Sequence, residues 1–338
     1  MNELAMKLEI SNKKERIAWI SILQALAIAA IVIGHLDIDG DLNPAHPIAN
    51  WIENLMQFSL GAFFFTSGFL YVRSSQFNKS YCQLMKGKFL RLLIPYIFMT
   101  VVMFVVKASV PSMMSREVEF GWKYIFEMFL FPWSGPARHV WFLASLFTFF
   151  ALIPLYKWTL ASDKKNSALL TLAILFLMQQ ISNDLPKCEL FSIDRSTMYF
   201  VYFYLGMLVM KFDLIKYFQN RTSLLFFLTL YLAGTFINKM PMQIYWGIGS
   251  LLSMSFVLSE WAKTLFSSFS KYSYQIYLMH FPPIMFVRII YSKHLVAIDT
   301  LWFALCWIFA LILAIYLPVI VSKIFEKFPK PIGLLIGL

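Results

Sequence analysis

Charge is what this sequence has least of. Asp, Glu, Lys and Arg make up 14% of its 338 residues, against about 25% in soluble domains. Apolar residues make up 59% and gather in long runs. That combination excludes an ordinary soluble core and predicts an all-α, polytopic transmembrane bundle. Cysteine is also sparse. The three present, Cys82, Cys188 and Cys306, are scattered and odd in number, which gives neither a disulfide framework nor metal spacing. No Pro/Gly/Ser-rich linker cuts the chain, so residues 1–338 read as one domain. His-Glu-x-x-His, P-loop, Gly-x-Ser-x-Gly and paired-carboxylate motifs are all missing. The five histidines lack the helical spacing of a metal site, and no metal is predicted.

The net charge of +11 could suit nucleic acid. The Lys and Arg residues sit instead in short loops between apolar runs, a topology signal, and nucleic acid is not expected as a partner. The reading that follows is about ten spans: 17–36, 55–72, 89–108, 139–158, 167–182, 196–210, 222–237, 242–261, 272–290 and 300–321. Residues 1–16 and 322–338 are then cytoplasmic tails. The segment 122–131 is apolar but too short to cross, and predicts an interfacial or re-entrant helix. The first span is too long for a signal-peptide core and is expected to be retained. Lipid is therefore the first partner.

The chain is organised around its first span. Residues 17–34 carry no formal charge, and the run ends on His35, followed by an acidic loop with Asp37, Asp39 and Asp41. An ionisable group on a spanning helix is costly and marks a functional site. A neutral imidazole there can act as a general base; an interfacial His satisfied by water is the plain alternative. Gln24 lies eleven residues earlier, about three turns and about 16 Å along the axis, on nearly the same face. Mid-span His280 precedes Pro282 and Pro283, which remove backbone donors and free carbonyls that need partners. The reading is a broken helix lining a cavity, or a kink with a hydrogen-bonded core His.

Other candidates have weaker support. Ser67-Gly68 lies in an aromatic span and suits helix packing, with Ser back-bonded to its own helix. Arg73 and Arg91 flank an inner basic loop with Lys79, Lys86 and Lys88, and could set topology or meet an anionic cofactor. His139 and Trp141 open the fourth span. His46 and His294 sit in loops and carry no assignment.

Five pieces in order resemble the acyltransferase 3 family of integral membrane O-acyltransferases, in particular its fucose 4-O-acetylase-like branch. They are R-I-A-W-I-S-I-L-Q-A-L-A-I-A-A-I-V-I-G-H, F-F-F-T-S-G-F-L, K-F-L-R-L-L-I-P-Y, H-V-W-F-L and Y-S-Y-Q-I-Y-L-M-H-F-P, spread over residues 16–282. The resemblance implies transfer of an acyl group, most often acetyl, from acetyl-CoA to a hydroxyl of a cell-surface polysaccharide or lipid-linked glycan. It implies a bacterial inner-membrane setting alongside polysaccharide-assembly proteins. It maps His35 onto the catalytic histidine, as general base or as covalent acyl carrier. Ser67, Arg91, His139, Trp141, Tyr277 and His280 map onto motif positions around the site, with Arg73 and Gln24 added as donor-binding candidates. The sequence departs from the pattern at Gln24, where the family often has Arg or Lys, and at Ser21, where an acidic residue is common. A carrier or exporter of glycans or small anions would share the span count, the kinked ninth helix and the buried histidines.

Overall fold

The computed structural model describes residues 3–36, 58–109, 120–160, 165–182, 184, 187–237, 240–293 and 301–338. The acidic loop with Asp37, Asp39 and Asp41, and both His46 and His294, lie outside them. Among the described residues every regular element is a helix. That follows from the long apolar runs, because backbone groups in lipid must find partners within their own segment.

Helix α1, Glu3–His35, is one unbroken rod of 33 residues. The predicted tail is therefore helical from residue 3 and runs straight into the span. Leu23, Ala25, Ile28 and Val32 of α1 are fully buried, which places its apolar half inside the bundle. After it come α2 (Phe58–Arg73), α3 (Tyr81–Lys88), α4 (Ile94–Ser109) and the short α5 (Trp122–Leu130). Next are α6 (Trp141–Ala151), α7 (Ile153–Tyr156), α8 (Lys165–Gln180) and α9 (Ile193–Lys211). The chain ends through α10 (Arg221–Ile237), α11 (Met240–Val257), α12 (Glu260–Ser270), α13 (Ser273–Met279), α14 (Phe281–Lys293), α15 (Leu301–Phe325) and the one-turn α16 (Lys330–Gly333).

Proline sets most of the breaks. Pro95 has no N–H to give the carbonyl of Arg91, and that oxygen accepts from the Tyr274 hydroxyl at 2.6 Å. A five-residue π segment, Phe89–Leu93, joins α3 to α4 just before it. Pro154 opens α7, which bends by 51° from α6. The carbonyls of Phe149 and Ala151 beside that bend accept from Tyr156 and Tyr81 at 2.7 and 2.9 Å. The stretch 139–158, expected as one span, is thus a bent pair. The stretch 242–261 also divides, because Ser259 caps a new helix by accepting from the Ala262 amide at 3.4 Å.

Three helices among the described residues are long and apolar enough to cross a membrane, judged by length and composition: Ala18–His35, Tyr81–Ser109 and Ala304–Phe325. The bent pair would make a fourth. Several other segments read as spans lie on shorter helices; α8 has 16 residues, about 24 Å at about 1.5 Å per residue. Helix α15 is apolar all round. Its Leu305, Ile308, Phe309, Ile312 and Ile320 are exposed, while Ala310, Ala314 and Val319 are buried against the bundle. An exposed face made of such residues belongs in lipid rather than water.

The closest helix pair is α2 with α9. A Cβ on Gly68 would fall 1.9 Å from the Phe203 carbonyl oxygen, and one on Gly206 would fall 1.9 Å from that of Phe65. Only hydrogen at these Cα positions lets the two backbones meet, as expected for small-residue packing in membranes.

Candidate functional site

Four elements converge on three imidazoles. His35 ends α1, His139 lies in the 3-10 turn Arg138–Val140 before α6, and His280 sits at the break between α13 and α14. The His280 ring centroid is 5.0 Å from that of His35 and 5.6 Å from that of His139, edge-on to both. Phe281 closes one side, stacked on His139 at 5.1 Å and edge-on to His35 at 6.1 Å. His280 is fully buried, His139 is buried and His35 is half-buried.

The break at His280 explains why His139 is there. Pro282 cannot donate to the carbonyl of Leu278, four residues earlier, and His139 Nε2 donates to that oxygen at 3.1 Å. Tyr277 returns the contact by donating its hydroxyl to the His139 carbonyl. Two hydrogen bonds thus tie the turn before α6 to the end of α13.

A carbonyl oxygen only accepts, so each ring nitrogen bonded to one carries the proton. His35 Nδ1 donates to Ile31 O at 2.8 Å. His280 Nδ1 donates to Tyr277 O at 2.8 Å and to Ile276 O at 3.1 Å. In neutral rings this leaves lone pairs on His35 Nε2, His280 Nε2 and His139 Nδ1. His280 Nε2 is buried and has no partner among the described residues. Helix backbone and proline chemistry thus hold three neutral rings side by side, each with one nitrogen left in acceptor form.

The remaining sequence candidates are placed elsewhere. Gln24 is half-buried on α1, on the same unbroken helix as His35. Ser67 donates to Phe63 O of its own helix at 2.8 Å, the packing role its sequence context suggested. Trp141 is buried against Phe64, Tyr199 and Trp133. Arg73 ends α2, and Arg91 lies exposed on the π segment. Near Arg91, the Lys88 ammonium sits 3.7 Å from the Phe150 ring centroid, so this part of the basic loop lies on helix rather than loop.

Several neighbours escaped the sequence reading. Phe281 was hidden in an ordinary apolar run. Arg138, beside His139, lies 3.5 Å over the Trp133 ring and near enough for its charge to act at His35. Arg195 lies 3.0 Å over the same ring. The available signal was the charged pair Asp194-Arg195 immediately before an apolar span. A separate groove of about 430 Å³, lined by Leu169, Phe176, Leu205, Tyr245 and Trp246 among others, contains neither histidine nor charge. Among the described residues, no group of three or more His, Cys, Asp or Glu is placed to hold a metal ion.

No curated protein and no solved structure is similar enough to count as a match. The acyltransferase 3 family model, described as an acyltransferase domain, matches residues 17–322, from the start of the first apolar run to near the end of α15 and across all three histidines. The chain therefore belongs to the acyltransferase 3 family of membrane acyltransferases.

Proposed function

We propose that the protein is an O-acyltransferase of the bacterial cytoplasmic membrane, with about ten spans and both termini cytoplasmic. It moves an acetyl group from acetyl-CoA to a hydroxyl of a cell-surface polysaccharide or lipid-linked glycan. The observation that carries this is the pinning of His35 Nδ1 on Ile31 O, with its ring beside His280, which in turn abuts His139. His35 Nε2 takes the proton of the acceptor hydroxyl as that oxygen attacks the thioester carbonyl. The C–S bond breaks, the ester C–O bond stays, and the imidazolium returns its proton to the CoA thiolate. His139 and His280 position the His35 ring and keep the site polar. Tyr277 fixes His139 through its backbone carbonyl.

The cations Arg73, Lys88 and Arg91 suit the CoA phosphates at the cytoplasmic end, where guanidinium groups bind oxyanions bidentately. Gln24, partway along α1, can hydrogen-bond an amide of the pantetheine arm but supplies no charge. Ser67 and Trp141 belong to the walls behind the site. Any polysaccharide-assembly protein would meet the outer side, where the acceptor arrives. The test is purified protein in detergent with acetyl-CoA and a glycan acceptor, read as free thiol released. Wild type should release thiol and His35→Ala should not. Equal release by both, at equal folded protein, would remove His35 from the chemistry.

A further inference from the structure

The groove of about 430 Å³ shares no lining residue with the histidine cluster. Its floor is α9, through Val201 and Leu205. Its walls are α8, through Leu169, Ala173 and Phe176, and α11, through Tyr245. On α8 and α9 these positions recur at three- and four-residue spacing, so each helix presents one continuous stripe. The adjoining stripe of α8 carries exposed Leu170, Ile174, Leu177 and Ile181, a surface that belongs in hydrocarbon. The groove therefore opens toward lipid rather than water.

Its two ends differ. At one end Tyr245 donates to Gln179 Oε1 at 2.8 Å, and Gln179 Nε2 donates to the Tyr202 hydroxyl at 2.7 Å and to Met198 O at 2.8 Å. This network ties α8, α9 and α11 together and fixes the Tyr245 wall. At the other end both stripes run on past the apolar lining. Lys165 comes one turn before Leu169, and Phe212 two turns after Leu205. These side chains meet, with the Lys165 ammonium 6.0 Å from the Phe212 ring centroid. Lys211, Lys216 and Arg221 lie in the same connection to α10, against one carboxylate, Asp213. An apolar trough thus ends on a cluster of cations.

An occupant has to match both features. The lining from Leu169 to Phe176 is about 10 Å long, within the roughly 15 Å depth of one leaflet's hydrocarbon. A neighbouring helix is a poor match, because helix contacts in membranes use stripes of small residues, and here Ala173 stands alone among bulkier side chains. A single acyl chain suits the trough, and a phosphate at its end suits the ammonium. The excess of cations is the pattern of a cytoplasmic end, and the cytoplasmic leaflet carries the anionic lipids.

We propose that the groove between α8 and α11 binds an anionic phospholipid, one acyl chain lying along Leu169, Ala173 and Leu205 and the phosphate resting on Lys165. Lys211, Lys216 and Arg221 supply the surrounding positive field. The lipid is a bound partner of the bundle and not a reactant, so the site stands or falls independently of the transferase reading.

The test is native mass spectrometry of the full chain released from mixed micelles holding equal amounts of dioleoyl phosphatidylglycerol and dioleoyl phosphatidylcholine. Wild type should retain one phosphatidylglycerol with at least fivefold preference over phosphatidylcholine. Ala173→Trp fills the trough and should remove both adducts; Leu169→Trp repeats the filling at a second exposed position. Lys165→Gln should keep a lipid adduct but lose the preference. All three side chains are exposed, so the variants should elute at the wild-type volume. No retained lipid, equal retention of the two lipids, an adduct that survives both tryptophans, or a preference that survives Lys165→Gln overturns the site. Displacement of the phosphatidylglycerol by equimolar polyprenyl phosphate overturns it in favour of a carrier lipid. A protein dimer that Ala173→Trp dissolves overturns it in favour of a second copy of the chain.

Discussion

Backbone approaches backbone most closely at α2 and α9, and side chain replaces backbone most fully at the α13–α14 break. In the first place two helices keep their own hydrogen bonds and touch through Gly68 and Gly206. In the second, Pro282 releases the carbonyl of Leu278 and a histidine takes it. The first arrangement spends no polar side chain and leaves nothing that could react. The second needs a polar side chain in an apolar interior, and that side chain then stands beside His280 and His35. Within one bundle, close backbone contact comes from missing side chains and polar side-chain contact from missing backbone donors.

The largest effect should come from filling the α2–α9 contact. Gly206→Ala drives a methyl into the Phe65 carbonyl, and no rotamer relieves it; a cost of about 3 kcal/mol is expected. Thermal unfolding in detergent should show a much lower Tm, and an unchanged Tm would mean that the helices part without cost. Next is His35→Ala, which should cut acetyl transfer by roughly 10³-fold with little change in Tm, because the ring is half-buried and, among the described residues, bonds to its own helix.

Pro282→Ala sharpens the contrast further. It restores an N–H that competes with His139 for Leu278 O. Transfer should drop about tenfold, on the order of 1.4 kcal/mol in the barrier, while Tm holds or rises. A rate that stays at the wild-type level would show that His139 does not depend on the freed carbonyl. Tyr277→Phe removes the reciprocal bond and should cost about 1 kcal/mol of stability, measured by the same unfolding scan, with a smaller loss of rate than Pro282→Ala.

The smallest effect lies away from both regions, at Lys271 and Glu326, which meet at 2.7 Å. The Lys271 hydrogen bond holds the Glu326 carboxyl below the usual carboxylate range, and Glu326 raises the Lys271 ammonium. A lowered carboxylate stabilises the fold above its unfolded pKa, and that contribution is lost as pH falls through the folded value. The wild-type Tm should exceed that of Glu326→Gln slightly at pH 7, and the gap should vanish in acid. Both groups are exposed, so the gap is small even at its widest.

How much of this was legible depends on what each residue's neighbours in sequence could reveal. His35 could be found because it ends an uncharged run, and His280 because two prolines follow it. The helix at 122–131 and the packing role of Ser67-Gly68 were also readable from local pattern. The meeting of His139 with Leu278 was not, because it joins positions 139 residues apart. Helices that are apolar on every side carry no periodic stripe to say which face turns inward. The bend at Pro154 was missed because the flanking residues stay apolar across it. Trp133, Arg138 and Arg195 were passed over because guanidinium–indole stacking leaves no spacing rule in a sequence.

Helix α13 has only seven residues, yet both its ends are fastened to other parts of the chain. Tyr274 anchors it to the Arg91 carbonyl, beside the cations of the π segment, and Tyr277 anchors it to the His139 carbonyl. A rod held at two points can shift but not swivel. The backbone around Arg91 is thereby linked to the His139 and His280 rings, making this short rod a push-rod between the basic rim and the imidazole pair.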